Sequence, residues 1–119
     1  IQEDKIKMKN INIKTKFVGF GNHYFVNTDN KRLQQVLLNL ISNAVKFTDR
    51  DGKIKIKCTL EYQTLYIKVI DSGIGIKRRD QEKLFKMFGS IKNEKKKVNT
   101  EGIGLGLVIS QLITKKFGG

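Results

Sequence analysis

A two-layer α+β fold, with helices on one face of a mixed and mostly antiparallel sheet, is predicted by three features of this 119-residue sequence. Leu33, Val36, Leu37, Leu40, Ala44 and Phe47 repeat at three and four, whereas KIKIKCTLEY and TLYIKVID alternate apolar and polar residues strictly, and a DRDG turn separates the two patterns. A period of 3.6 buries one stripe of a helix and a period of two buries one face of a strand, so the segments can share a core only as layers.

Taken in order, residues 1–9 are lysine-rich and fit neither period, and INIKTKF (11–17) reads as a strand punctuated by Gly19 and Gly21. YFVNT (24–28) is a candidate second short strand, and Asp29 or Asn30 is placed to cap the helix that follows. Across a break at Glu61 to Thr64 the two alternating runs form an antiparallel hairpin. Residues 89–101 are polar and aperiodic, which predicts a loop, and a second helix opens at the glycines of 102–106.

The length suits one domain, residues 1–119, with a modest core. Ile1 opens the chain and no apolar leader follows, so the sequence is expected to be a fragment of a longer chain; no segment is apolar enough to span a bilayer. Cys58 is the only cysteine and sits in a strand pattern, as a small apolar residue would in an intracellular protein. The net charge of +13 raises nucleic-acid binding as a class. Lysines that alternate along strands (Lys53, Lys55, Lys57) predict instead the solvated face of a half-buried sheet, and no nucleic-acid partner is expected.

Three short motifs carry chemistry. Asn39 and Asn43 are one helical turn apart with Lys46 three residues on, a polar stripe whose amide oxygens suit Mg²⁺ and whose ammonium suits phosphate. The plainer alternative is two amides hydrogen-bonded inside the fold. VIDSGIGI (69–76) ends a strand in Asp71, Gly73 and Gly75: an acceptor-only carboxylate beside glycines that admit close approach, or simply a self-capped turn. EGIGLGLVIS (101–110) sets Gly102, Gly104 and Gly106 at a helix start, where free N–H groups favour phosphate. Its spacing is neither the dinucleotide fingerprint nor a P-loop. Phe85 and Phe88 stand three apart before the aperiodic loop and are expected to anchor it, while His23 has no ligand or catalytic companion nearby.

In this order the motifs resemble the ATP-binding domain shared by sensor histidine kinases, gyrase-type topoisomerases, mismatch-repair clamps and heat-shock chaperones, a Bergerat-type sandwich. The wording RLQQVLLNLISNAVKFT and GIGLGLVIS is most similar to the histidine kinases. The resemblance implies ATP and Mg²⁺ as cofactors, with Asn43 on the metal, Asn39 supporting metal and phosphates, and Lys46 on phosphate. It implies Asp71, Gly73, Gly75 and Ile76 around adenine, Phe85 and Phe88 beside the site, Gly102, Gly104, Leu105 and Gly106 along the triphosphate, and an ATP lid at about 89–101.

Hydrolysing relatives carry a glutamate where this sequence has Asn39, which cannot take a proton at neutral pH. The resemblance therefore implies transfer of phosphate to a histidine on a separate dimerisation domain of the same protein, then to a response regulator or receiver, with any membrane attachment belonging to the parent protein. An ATP-driven clamp and a non-enzymatic nucleotide adaptor are the rival readings. Departures include Met87 between the phenylalanines, Lys92 or Lys95 to Lys97 in place of a lid arginine, and Ile103 where threonine is frequent. The sequence stops at KKFGG, where related domains add a strand hairpin, so the sheet is expected to be one edge short.

Overall fold

A computed structural model describes residues 2–21, 27–86 and 106–119. Its elements run α1 (Gln2–Met8), β1 (Asn12–Val18), α2 (Asn30–Phe47), β2 (Lys53–Glu61), β3 (Thr64–Asp71), α3 (Arg78–Gln81) and α4 (Gly106–Lys116). The candidate strand at 24–28 and the loop at 89–101 fall largely or wholly outside the described residues.

The segment that fitted neither period contains a helix. α1 carries Glu3 and Asp4 in its first turn and Lys5 and Lys7 in its last, the polarity that complements the helix dipole. It ends in a Schellman motif: Asn10 takes the left-handed conformation (φ 51°), Ile11 N donates to the Ile6 carbonyl at 3.0 Å, and Asn10 N donates to Lys7 at 3.1 Å. The apolar pair that accompanies such a motif is present, since Ile11 is buried and Ile6 packs beside it.

β1, β2 and β3 form one mixed sheet in that order. β2 and β3 make the expected antiparallel hairpin, closed by Tyr62 and Gln63, both left-handed (φ 47° and 66°) as a two-residue turn requires. β1 pairs with β2 in parallel, Asn12 opposite Lys53 through Val18 opposite Thr59. Parallel neighbours need a long crossover, and the chain between them contains α2.

The described residues divide into two compact units, one of Ile1–Thr28 and Leu40–Gly75, the other of Asp29–Asn39 and Ile76–Gly119. In the first, Ile11, Ala44, Val45 and Ile54 are buried together, with Ile6, Ile13, Ile41, Ile56 and Val69 packed around them. The inward positions of the strands are thus those with odd numbers in β1 and even numbers in β2, as the alternation requires. In the second unit, Asp29 caps the start of α2 by accepting from Arg32 N at 3.2 Å, and Ser110 and Ile113 are the buried residues of α4.

Candidate functional site

The two asparagines of α2 lie on the side of the helix away from Ile41, Ala44 and Val45, because about 100° per residue carries positions 39, 43 and 46 to one stripe and the core positions to the other. They differ in what they do. Asn39 Nδ2 donates to Ser110 Oγ at 3.0 Å and to the Gly106 carbonyl at 3.3 Å, so its amide joins the middle of α2 to the N-terminal half of α4. Asn43 is half-buried, and its carboxamide makes no hydrogen bond with another described residue. The internal-bonding alternative therefore describes Asn39, whereas the Asn43 amide oxygen has no hydrogen-bond partner among the described residues.

One turn on, Lys46 is half-buried with Nζ 5.3 Å from the centroid of the Phe47 ring. Its backbone carbonyl belongs to a second arrangement. Lys9 Nζ donates to the carbonyls of Val45 (2.8 Å), Lys46 (3.2 Å) and Thr48 (2.9 Å), placing a cation on the orphan acceptors at the C-terminus of α2. Thr48 is fully buried, and its Oγ1 has no partner among the described residues.

β3 ends where its backbone turns into the 71–75 loop. Ser72 extends the ladder by one step, its N–H donating to the Lys53 carbonyl at 3.0 Å and its Oγ accepting from Lys53 N at 2.9 Å. Asp71 Oδ1 accepts from Gly73 N at 2.8 Å, which fixes the carboxylate while Oδ2 carries no hydrogen bond from the described residues. A Cβ at Gly73 would collide with the Phe47 carbonyl, so glycine lets this loop abut the last turn of α2. At Gly75 the space is open and the requirement is conformational, with φ at 72°. Ile74 and Ile76 are 53% and 46% exposed. The Ile76 carbonyl accepts from Gln81 Nε2 at 3.2 Å, which ties the chain to α3.

Phe85 is 48% exposed and so is not a buried anchor; Phe88, Gly102, Gly104 and Leu105 lie outside the described residues. Gly106 opens α4 beside Asn39, where an added Cβ would make an ordinary contact of 3.8 Å. Among the described residues no group of three or more His, Cys, Asp or Glu could hold a metal ion. Sequence reasoning missed Lys9, Ser72, Thr48 and Ser110. Only Ser72, inside the DSG triplet, carried a local signal.

Residues 28–119 match the family described as histidine kinase-, DNA gyrase B-, and HSP90-like ATPase. The chain belongs to this family. Within it, this chain is 41% identical over 93 residues to the aerobic respiration control sensor protein ArcB of Escherichia coli K12, covering 77% of this chain and 12% of that protein. It is 43% identical over 96 residues to the sensor protein GacS of Pseudomonas syringae, covering 76% and 10%. With the hybrid signal transduction histidine kinase B of Dictyostelium discoideum it shares 40% over 99 residues, covering 79% and 5%. The domain thus spans about an eighth or less of these relatives' length. A nucleotide-free catalytic domain of the histidine kinase ThkA superimposes with a TM-score of 0.75 at 33% identity, over 97% of this chain and 71% of that one. The mycobacterial sensor histidine kinase MprB shares the fold, with a TM-score of 0.73 at 22% identity over 98% and 73%. These likenesses make the chain a histidine kinase-type ATP-binding catalytic domain with a mixed-sheet α+β fold.

Proposed function

We propose that this domain binds Mg-ATP and, within its full-length protein, presents the γ-phosphate to a histidine on a separate dimerisation domain, from which it passes to a receiver domain. One observation carries the reading: the half-buried Asn43 carboxamide has no hydrogen bond to a described residue, although the Asn39 amide one turn earlier donates to both Gly106 and Ser110. A neutral oxygen left open in this way suits a hard cation that takes most of its ligands from phosphates and water.

The other groups are assigned by the same chemistry. Asp71, held by Gly73, offers Oδ2 to an exocyclic amino group, as adenine but not guanine presents at that edge. Gly75 and Ile76 bring backbone and an apolar surface to the base, and Lys46 balances phosphate charge. Asn39 supports the phosphate side with Gly106, and Gly102, Gly104 and Leu105 continue that side, with Phe85 and Phe88 bordering it and 89–101 forming the lid. Bound nucleotide supplies a transferable phosphoryl group, and what the protein adds is position and charge. With an amide at position 39 no residue there activates water, which favours transfer over the clamp-type hydrolysis.

The test is calorimetric titration with ATP, GTP and ADP, with and without Mg²⁺, for the native chain, Asn43→Ala and Asp71→Asn. Preference for ATP that falls in Asp71→Asn, and a loss in Asn43→Ala larger for Mg-ATP than for metal-free ADP, are expected. Equal losses for both ligands would make Asn43 structural. Phosphohistidine formed on an acceptor domain supplied in trans then separates a kinase from an adaptor.

A further inference from the structure

The parallel pairing of β1 places its lysines on the same rungs as those of the hairpin. On the outward face Lys16, Lys57 and Lys68 form one row across all three strands, Lys14 and Lys55 the next with Ile70, and Lys53 stands beside Asn12. With strands about 4.8 Å apart and about 3.3 Å per residue along each, six ammonium groups spring from a patch of about 10 by 13 Å. Like charges directly opposite one another are destabilising, and none of the six forms an ion pair with a described carboxylate. Among the outward positions of the three strands the acidic residue is Glu61, at the hairpin end. Apolar side chains interrupt the array: Ile70 and Tyr66 are 49% and 50% exposed, and Val18 stands on the Tyr66 rung across Thr59. A concavity of about 340 Å³ at the Lys53 end is lined in part by Lys14, Lys53, Lys55, Ile70 and Asp71.

We propose that this lysine face docks on an anionic phospholipid surface. The array is two-dimensional, three strands wide, as a surface of headgroups is, and its lysine stems can lie along Ile70 and Tyr66 while the ammonium groups reach phosphate. Nucleic acid fits less well, since the face has no arginine fork and one aromatic side chain where base stacking needs a platform.

The 119-residue chain is sedimented with phosphatidylcholine vesicles and with vesicles containing one-third phosphatidylglycerol, over a range of salt. Binding is expected only to the anionic vesicles and to weaken as salt rises. Lys16→Gln, Lys57→Gln and Lys68→Gln together should weaken it about a hundredfold, at about fivefold per lysine. The same change at Lys31, Lys115 and Lys116, exposed on helices, should alter it less than about threefold. Melting followed by circular dichroism should show both triple variants folded. The salt dependence of the native chain stands independently of any variant. No binding to anionic vesicles, equal losses in the two variants, or displacement from vesicles by equimolar single-stranded oligonucleotide would each overturn the proposal.

Discussion

Asn39 donates its amide to the Ser110 hydroxyl at 3.0 Å, and Ser110 is 5% exposed. Truncating Asn39 strands a buried hydroxyl and the Gly106 carbonyl together, and an unmatched buried polar group costs about 1–3 kcal/mol. Asn39→Ala should therefore destabilise the chain by about 1–2 kcal/mol, measured by urea unfolding. Asn43→Ala, which breaks no hydrogen bond to a described residue, should stay within about 0.5 kcal/mol. Equal destabilisation by the two would erase the distinction between them.

Lys9 is a second staple, since one ammonium serves three carbonyls at the end of α2. Methionine keeps the stem and removes the donors, so Lys9→Met isolates the hydrogen bonds from the packing. A loss of about 2 kcal/mol is expected, because charge-assisted bonds exceed neutral ones and these three bonds are only partly buried. A melting temperature unchanged from the native chain would show that water replaces the ammonium at no cost.

Gly73 and Gly75 should respond differently to alanine. At Gly73 the new methyl meets the Phe47 carbonyl and lies 2.8 Å from Asp71 Oδ1, so the loop must move and carry the carboxylate with it. At Gly75 nothing is within 4 Å, and the cost is that of a left-handed alanine, about 1 kcal/mol. Gly73→Ala should thus lose more nucleotide affinity than Gly75→Ala; the reverse order in a titration would mean that the loop is not seated on α2.

Burial pushes the Cys58 thiol above its ordinary range. Its folded pKa being raised, the associated stability is complete below the unfolded pKa of 9.0 and is lost as pH climbs through the folded value. Unfolding free energy should therefore fall above about pH 9 in the native chain and fall less in Cys58→Ala. At pH 8, alkylation of Cys58 should be slower than that of a free thiol and rise to it in denaturant.

What could be read from the sequence was whatever a local period records. The apolar repeat from Leu33 to Ala44 and the alternation on either side of Tyr62 each recur every few residues, and they appear as α2 and the β2–β3 hairpin, although Phe47 at the end of the helical repeat is exposed. α1 and α3 escaped because seven and four residues are too few turns to establish a period. The parallel partner of β1 escaped for another reason: pairing across α2 is a non-local choice that Asn12 to Val18 do not encode alone. The same limit applies to the site. That Asn39 and Asn43 share a helix stripe follows from their spacing, but that Ser110 takes the amide of one depends on where α4 lies.

Thr48 offers the last test, because its hydroxyl is fully buried and unpaired among the described residues. Valine preserves the branched shape and replaces the oxygen by a methyl, so Thr48→Val removes a desolvated polar atom without opening a cavity. The backbone contacts of Thr48, its N–H to the Ala44 carbonyl at 3.0 Å and its carbonyl to Lys9, do not involve the side chain and persist. Thr48→Val should accordingly be neutral or stabilising by up to about 1 kcal/mol in urea unfolding. A loss exceeding about 1 kcal/mol would show that Oγ1 has a partner in solution, such as a buried water, and repeating the measurement with saturating nucleotide would tell whether that partner belongs to the fold or to the bound ligand.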